Sequence, residues 1–320
     1  MSSEILVADI GGTNARFAMA YISDNNDISL EKITVYPTEN WVYLEDAIAD
    51  YLLQVKAKPE RASVAFAGPV NKDEVSMTNG TWQFKQSEIG DFLKMKEVKV
   101  LNDYCANACS LPLLKDEQLL KIGEGVIEEG ANKIVVGPGT GVGVAALVAA
   151  GDKWKAIASE GGHVAYGPSG DLEKEIFKIL SPEHHRMSAE HLMSGRGISS
   201  IYYALGIING KGNERLDPAE VNDLATIEKD ADSIQTIKIY SGMLGCYVSD
   251  MAGTFNATGG VYLAGGVLPK IQDIFLESNF RAKFEENENL PFVKDIATYL
   301  ILEEQPALFG AAGYYSGLFL

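Results

Sequence analysis

Two acidic residues stand where strands give out. Val98-Lys99-Val100-Leu101 runs into Asn102-Asp103, and Ile5-Leu6-Val7-Ala8 runs into Asp9. Open α/β sheets place their ligands at the carboxyl ends of strands. A carboxylate such as Asp103 can there take a proton from a hydroxyl while Asn102 fixes the substrate through its amide. The plainer alternative is that Asp103 caps a helix beginning at Tyr104. A third constellation is Glu160-Gly161-Gly162-His163, whose two polar side chains can meet the vicinal hydroxyls of a sugar while the glycines draw the backbone close. Zinc is a poor reading there, with one Glu, one His and no cysteine nearby. Glu190, in Ser188-Ala189-Glu190-His191, suits the start of a helix on polarity alone. His184, His185 and His191 read as solvated residues of a charged helical stretch.

The Asp9 segment continues Ile10-Gly11-Gly12-Thr13-Asn14 and leaves as Ala15-Arg16-Phe17-Ala18-Met19, a pattern of strand, tight turn and returning strand. Side-chain-free positions let backbone N–H groups approach a phosphate. A carboxylate beside a phosphate needs a cation between them, and Mg²⁺ takes one or two carboxylates plus phosphate oxygens and water. The segment Ile134-Val135-Val136-Gly137-Pro138-Gly139-Thr140-Gly141-Val142-Gly143 repeats the strand–turn–strand pattern. Neither turn carries the Gly-Lys-Ser/Thr of a Walker loop. Gly141 to Ala146 mimics a dinucleotide fingerprint, which would make the chain a nicotinamide dehydrogenase, but its continuation reads as strand rather than helix. Tyr262-Leu263-Ala264-Gly265-Gly266 ends a further strand on two glycines, against which a flat base such as adenine could lie.

The elements that must hold these groups form an α/β pattern. Strand-like runs at 63–67 and 98–101 alternate with helical patterns, notably the one over 41–55. A second strand-and-turn series opens at Lys133, and the run 98–103 pairs with 260–266 as a further echo. One lobe repeated within a chain implies two similar domains facing each other across a cleft. Helical patterns follow at 172–180, 198–206 and 217–256, and the last sixteen residues read as a helix opened by Pro306 that packs back on the first domain. The chain has 320 residues, 46% of them hydrophobic, enough to fill two cores. Its net charge of −17 argues against nucleic-acid or anionic-membrane partners. No apolar run is long enough to span a membrane, and the opening segment does not read as a signal peptide. Cys105, Cys109 and Cys246 are an odd set that suits a reducing compartment. A sugar-responsive regulator would need a DNA-binding module, and no basic segment precedes Ile5.

In this order the pieces resemble the bacterial ATP-dependent glucokinases of the hexokinase–actin-like superfamily, along essentially the whole chain. The resemblance includes Thr78-Asn79-Gly80-Thr81-Trp82, Ser188-Ala189-Glu190 and Ser194-Gly195. It points to the zinc-free branch, because Val164-Ala165-Tyr166-Gly167-Pro168 follows His163 where the repressor/kinase branch carries cysteines. It implies a two-domain actin-like ATPase fold of ribonuclease H-like type with an interdomain cleft, divided as 1–110 plus 303–320 and 111–302. It implies transfer of the ATP γ-phosphoryl group to the 6-hydroxyl of glucose, the first step of glycolysis. Ala8, Asp9, Ile10, Gly11, Gly12 and Thr13 would bind the phosphates, with Asp9 holding Mg²⁺ through water. Gly137, Gly139, Thr140 and Gly141 would form the second phosphate turn, and Gly265 and Gly266 would adjoin the adenosine. Asn102, Asp103, Glu160, His163 and Glu190 would hold the hexose, with Asp103 as catalytic base. Ala8 stands where glycine is common in the family. A cytoplasmic homodimer is the family's usual form.

Overall fold

The opening apolar run becomes β1 (Ser3–Ile10), and the Gly11-Gly12 turn returns it as β2 (Asn14–Ile22), antiparallel, with Asp9 opposite Arg16. The structure is a computed structural model that describes residues 3–71, 73–77, 82–212 and 214–320. Packing divides the chain into two units. The first comprises Met1–Gln118, Ala145–Ala158 and Glu303–Leu320, the second Leu119–Val144 and Ser159–Leu302.

In the first unit β3 (Ile28–Pro37), α1 (Leu44–Val55), β4 (Arg61–Phe66), β5 (Val70–Asn71), β6 (Glu74–Ser76), β7 (Gln83–Lys85), α2 (Gln86–Leu93), β8 (Glu97–Asn102) and α3 (Asp103–Ser110) follow the hairpin. The main sheet runs β3-β2-β1-β4-β8, with β4 parallel to β1 and β8 parallel to β4. In register, Ile10 lies beside Phe66 and Phe66 beside Asn102, so Asp9 and Asp103 end up at the same edge, two strands apart. A continuous apolar strand is buried on both faces. Leu6, Ala8 and Ile10 face the core with Leu44, Ala47, Ile48 and Tyr51 of α1, whereas Ile5 and Val7 join another cluster. The helix expected over 41–55 starts only at Leu44, because Thr38–Asn40 forms a 3-10 turn and Tyr43 is still extended.

The second unit opens with β9 (Leu119–Ile122) and β10 (Lys133–Pro138), beside which β11 (Val142–Ala150) begins. β11 continues into the first unit, where β12 (Lys153–Ser159) follows. Back in the second unit come α4 (Asp171–Leu180), α5 (Ala189–Met193), α6 (Gly195–Ile208), α7 (Pro218–Thr226), α8 (Ala231–Phe255), β13 (Val261–Leu263), α9 (Gln272–Leu276), α10 (Phe280–Glu285) and β14 (Thr298–Ile301). β13 runs parallel to both β10 and β14, and β9 closes the edge antiparallel to β14. The chain ends with α11 (Pro306–Gly313) in the first unit, where Leu308, Ala311 and Ala312 cover Ile5 and Val7.

Several expectations are corrected here. The stretch 217–256 is two helices, broken where Lys229 turns left-handed (φ 59°) and Asp230 caps α8 by accepting the Ser233 N–H at 2.8 Å. The terminal helix stops at Gly313, and Gly317 (φ +81°) turns the end back so that Leu320 and Leu318 bond Trp154 of β12. That bonding gives residues 145–158 to the first unit, and Gln118 Nε2 donating to Glu303 Oε2 at 2.6 Å helps hold 111–118 there too, whereas both stretches were expected in the second domain. β13, which leads into Gly265, sits next to β10 as β4 sits next to β1. Its counterpart is therefore β4, not the run 98–103. Among the described residues, no helix is long and apolar enough to cross a membrane.

Candidate active site

In the first unit, Asn102 is the residue that caps α3. Its Oδ1 accepts the N–H groups of Tyr104 (3.1 Å) and Cys105 (3.2 Å). Asp103 is the first residue inside the helix rather than its cap. Its Oδ1 accepts from Asn102 Nδ2 and from the Tyr104 N–H, both at 3.0 Å, which fixes the side chain at the sheet edge. Burial pushes the Asp103 carboxyl up to about 6; the Tyr104 N–H pulls it down and the charge of Asp9 pushes it further up. Asp9 is itself raised by burial, against the pull of Arg16, whose Nη1 lies 3.4 Å from Oδ2. Sequence reasoning missed Arg16, although its place opposite Asp9 follows from closing the hairpin over Gly11 to Thr13. The turn itself is held by the Gly11 N–H donating to the Asn14 carbonyl at 2.9 Å and by Thr38 Oγ1 donating to the Gly12 carbonyl at 2.8 Å. Gly12 and Thr13 are exposed there, while Ala8 and Ile10 are buried in the sheet.

In the second unit, three turns are bonded into one assembly. The Gly139 N–H donates to the Gly141 carbonyl (2.8 Å), the Gly195 N–H to Gly139 (2.8 Å) and the Val267 N–H to Pro138 (3.2 Å). Gly265 (φ +88°) lies so close to this loop that a Cβ would strike the Pro138 carbonyl oxygen. Gly266 is open on its side-chain face, with nothing within 4 Å. Thr140 is exposed at the tip and Gly137 buried at the base.

Glu190 reaches the same loop. Its Oε2 accepts the Val142 N–H at 3.1 Å and crowds Gly141, where a Cβ would collide with the carboxylate. Arg196 Nη2, also missed, lies 3.7 Å from Oε1. The Glu160–His163 corner is a 3-10 turn laid on β11, and a Cβ at Gly162 would run into the Val142 carbonyl oxygen. Glu160 and His163 face each other at 3.6 Å between Oε2 and Nε2, both largely exposed. Glu190, Gly139, Gly141 and Gly265 are thus joined through one loop in this unit, with the Glu160–His163 corner laid on the strand that follows it, and Asn102 and Asp103 stand at the sheet end that carries Asp9 in the first. Thr78 to Thr81 lie outside the described residues; Trp82 is buried and donates Nε1–H to the Trp41 carbonyl at 3.1 Å. His191 departs from the solvated reading: it is half-buried and stacks on His184 with ring centroids 3.9 Å apart.

The α/β frame that carries these strand-end carboxylates, bonded glycine turns and Glu-Gly-Gly-His corner is that of a sugar kinase. The solved glucokinase of an Antarctic psychrotroph shares the fold with a TM-score of 0.90 at 34% identity, covering 98% of both chains. The glucokinase of Tolumonas auensis is 36% identical over 315 residues, covering 98% of this chain and 97% of its own. That of Colwellia psychrerythraea is 38% identical over 325 residues, covering 98% and 96%. The profile of the glucokinase family matches residues 6–317, and the chain belongs to that family.

Proposed function

We propose that the protein transfers the γ-phosphoryl group of ATP to the 6-hydroxyl of glucose, yielding glucose 6-phosphate and ADP, as the first step of glycolysis. The observation that carries this reading is the carboxyl of Asp103, fixed by Asn102 at a strand end and raised by burial to about 6. A base of that strength accepts a hydroxyl proton near neutral pH. In the reaction the 6-hydroxyl oxygen bonds to the γ-phosphorus as the bond to the ADP oxygen breaks, and the hydroxyl proton passes to Asp103.

Asn102, Glu160, His163 and Glu190 hold the remaining hexose hydroxyls. A site built to hydrogen-bond hydroxyls leaves its polar groups unpaired with the wrong sugar, which favours glucose. Ala8 to Thr13 and Gly137, Gly139, Thr140 and Gly141 present backbone to the phosphates, and the open face of Gly266 beside Gly265 accommodates adenosine. The residues at Asp9 fit a divalent cation: the carboxylate is partly accessible next to exposed Gly12, and a cation would offset the burial that opposes its charge. Asp9 would hold Mg²⁺ through water, and the bound ion would supply charge neutralisation to the phosphates. We assign the fold to the actin-like ATPase class of ribonuclease H-like type, supported by the matching sheet orders β2-β1-β4-β8 and β11-β10-β13-β14, in each of which the last three strands run parallel. A homodimer working in the cytoplasm completes the reading, consistent with three unpaired cysteines.

The test is a panel of hexoses with Mg-ATP, scored by ADP release and by the position of the new phosphate. Glucose turned over to its 6-phosphate supports the reading; ADP release without a sugar phosphate ends it. Within that assay, Glu160→Gln and Glu190→Gln raise the KM for glucose. A change confined to ATP in both variants would remove these residues from the sugar. Gly265→Ala raises the KM for ATP about tenfold, because a left-handed position and a backbone collision together cost about 1–3 kcal/mol. Glucose affinity measured without nucleotide stays at the wild-type value; an equal loss there would show that this turn does not serve the nucleotide.

A further inference from the structure

Glu190 is the second residue of α5, a helix of only five residues whose stability rests on its first turn. Ser188 caps that turn, and His191 occupies the position where a capping box ordinarily carries Glu or Gln. The imidazole Nδ1 accepts the Ser188 N–H at 3.0 Å and lies 3.1 Å from Ser188 Oγ, while the Ser188 side chain accepts the His191 N–H. The same turn is tied to the chain leaving His163: the Ala189 N–H donates to the Val164 carbonyl at 2.9 Å, and Ala165 forms a bridge with Ser188. The ring of His184 stacks on His191, tilted by 21°.

We propose that His191 is a positioning residue for the hexose site, whose neutral imidazole locks the first turn of α5 and with it the carboxylate of Glu190. The inference rests on the assignment of Glu190 to the hexose. A backbone N–H can only donate, so Nδ1 must accept and the ring proton sits on Nε2. A second proton makes Nδ1 a donor that can still meet Ser188 Oγ but no longer accepts the Ser188 N–H, and that half of the box opens. The groups facing the ring are His184, Arg196, His163 and Glu190. Burial chiefly, then the positive charge of His184, Arg196 and His163, hold the ring below the ordinary histidine range, and Glu190 pulls the other way. The neutral form therefore prevails at neutral pH, and the lock is lost as the medium becomes acidic.

Calorimetric titration of glucose without nucleotide, from about pH 8 to about pH 5, tests this on wild type, His191→Gln and His191→Ala. Gln restores the acceptor of a capping box and does not titrate. Loss of a cap corresponds to roughly a three- to tenfold change in Kd. Wild-type affinity falls by that factor towards acid relative to His191→Gln, which matches wild type near pH 8. Asp103 titrates in both proteins, so only their difference is read. His191→Ala is weaker by the same factor near pH 8, with kcat at saturating glucose unchanged. Identical pH profiles for wild type and His191→Gln overturn the inference, and they do so even if His191→Ala fails to fold. Glu190→Gln, run in parallel, separates the two ideas: unchanged glucose affinity there sinks the hexose assignment itself.

Discussion

Asp103→Ala lowers kcat by at least about 100-fold, the scale of losing a positioned general base, while the fold and most of the glucose affinity persist. The fold persists because Asn102, not Asp103, caps α3, and its Oδ1 still receives the N–H groups of Tyr104 and Cys105. What disappears is the only acidic group in the first turn of that helix. A coupled assay of glucose 6-phosphate formation reads the turnover, and calorimetry reads the sugar. Near-normal turnover would take the base role away from Asp103. The wild-type pH profile carries the same signature. The carboxyl is raised, and the base must be ionised to act, so kcat/KM is level above the inflection and falls tenfold per pH unit below it. That inflection lies at or below about 6, because part of the rise comes from the charge of Asp9, which a divalent cation would offset. A profile level down to about pH 4 would contradict this.

The local elements were more legible than their arrangement in the sheets. Ile5 to Ala8 announced a doubly buried strand because every residue is apolar, and the glycines after Asp9 announced the turn. Asp103 read equally well as a base or as a helix cap, and the sequence did not say which; the backbone gives the cap to Asn102 and makes Asp103 the first residue of the helix. The stacking of His184 on His191 was hidden because Ser181–Glu183 is a 3-10 turn and the next residues are not helical, so helical spacing placed the rings apart. The runs ending at Asp103 and Gly265 look alike as sequence, yet their sheet positions differ, since neighbours in a sheet are chosen by non-local pairing. The allocation of residues 145–158 to the first unit depends on contacts with the last three residues, which no local pattern records.

Gly310→Ala should destabilise the protein by about 3 kcal/mol, the upper part of the range for overpacking. A Cβ on Gly310 of α11 would enter the Ala106 carbonyl oxygen and stand 2.9 Å from the Ser110 nitrogen, so it meets the backbone of α3 rather than a side chain that can turn aside. The helices must therefore separate. At roughly 2–4 °C per kcal/mol for domains of about 150–250 residues, the thermal midpoint falls by about 6–12 °C. Gly313→Ala is the control: its Cβ meets chiefly the Leu113 side chain, which can move, and its effect is smaller. The consequence for function follows from where α3 begins. Asp103 is its first residue, so a shift of the helix moves the carboxylate, and about 1 Å of misplacement can cost about 100-fold in rate. Gly310→Ala should thus turn over slowly even at temperatures where it is fully folded, although this glycine lies outside the residues assigned to either substrate. Should the folded variant melt low but turn over like wild type, the packing of α11 on α3 stabilises the unit without aiming its base.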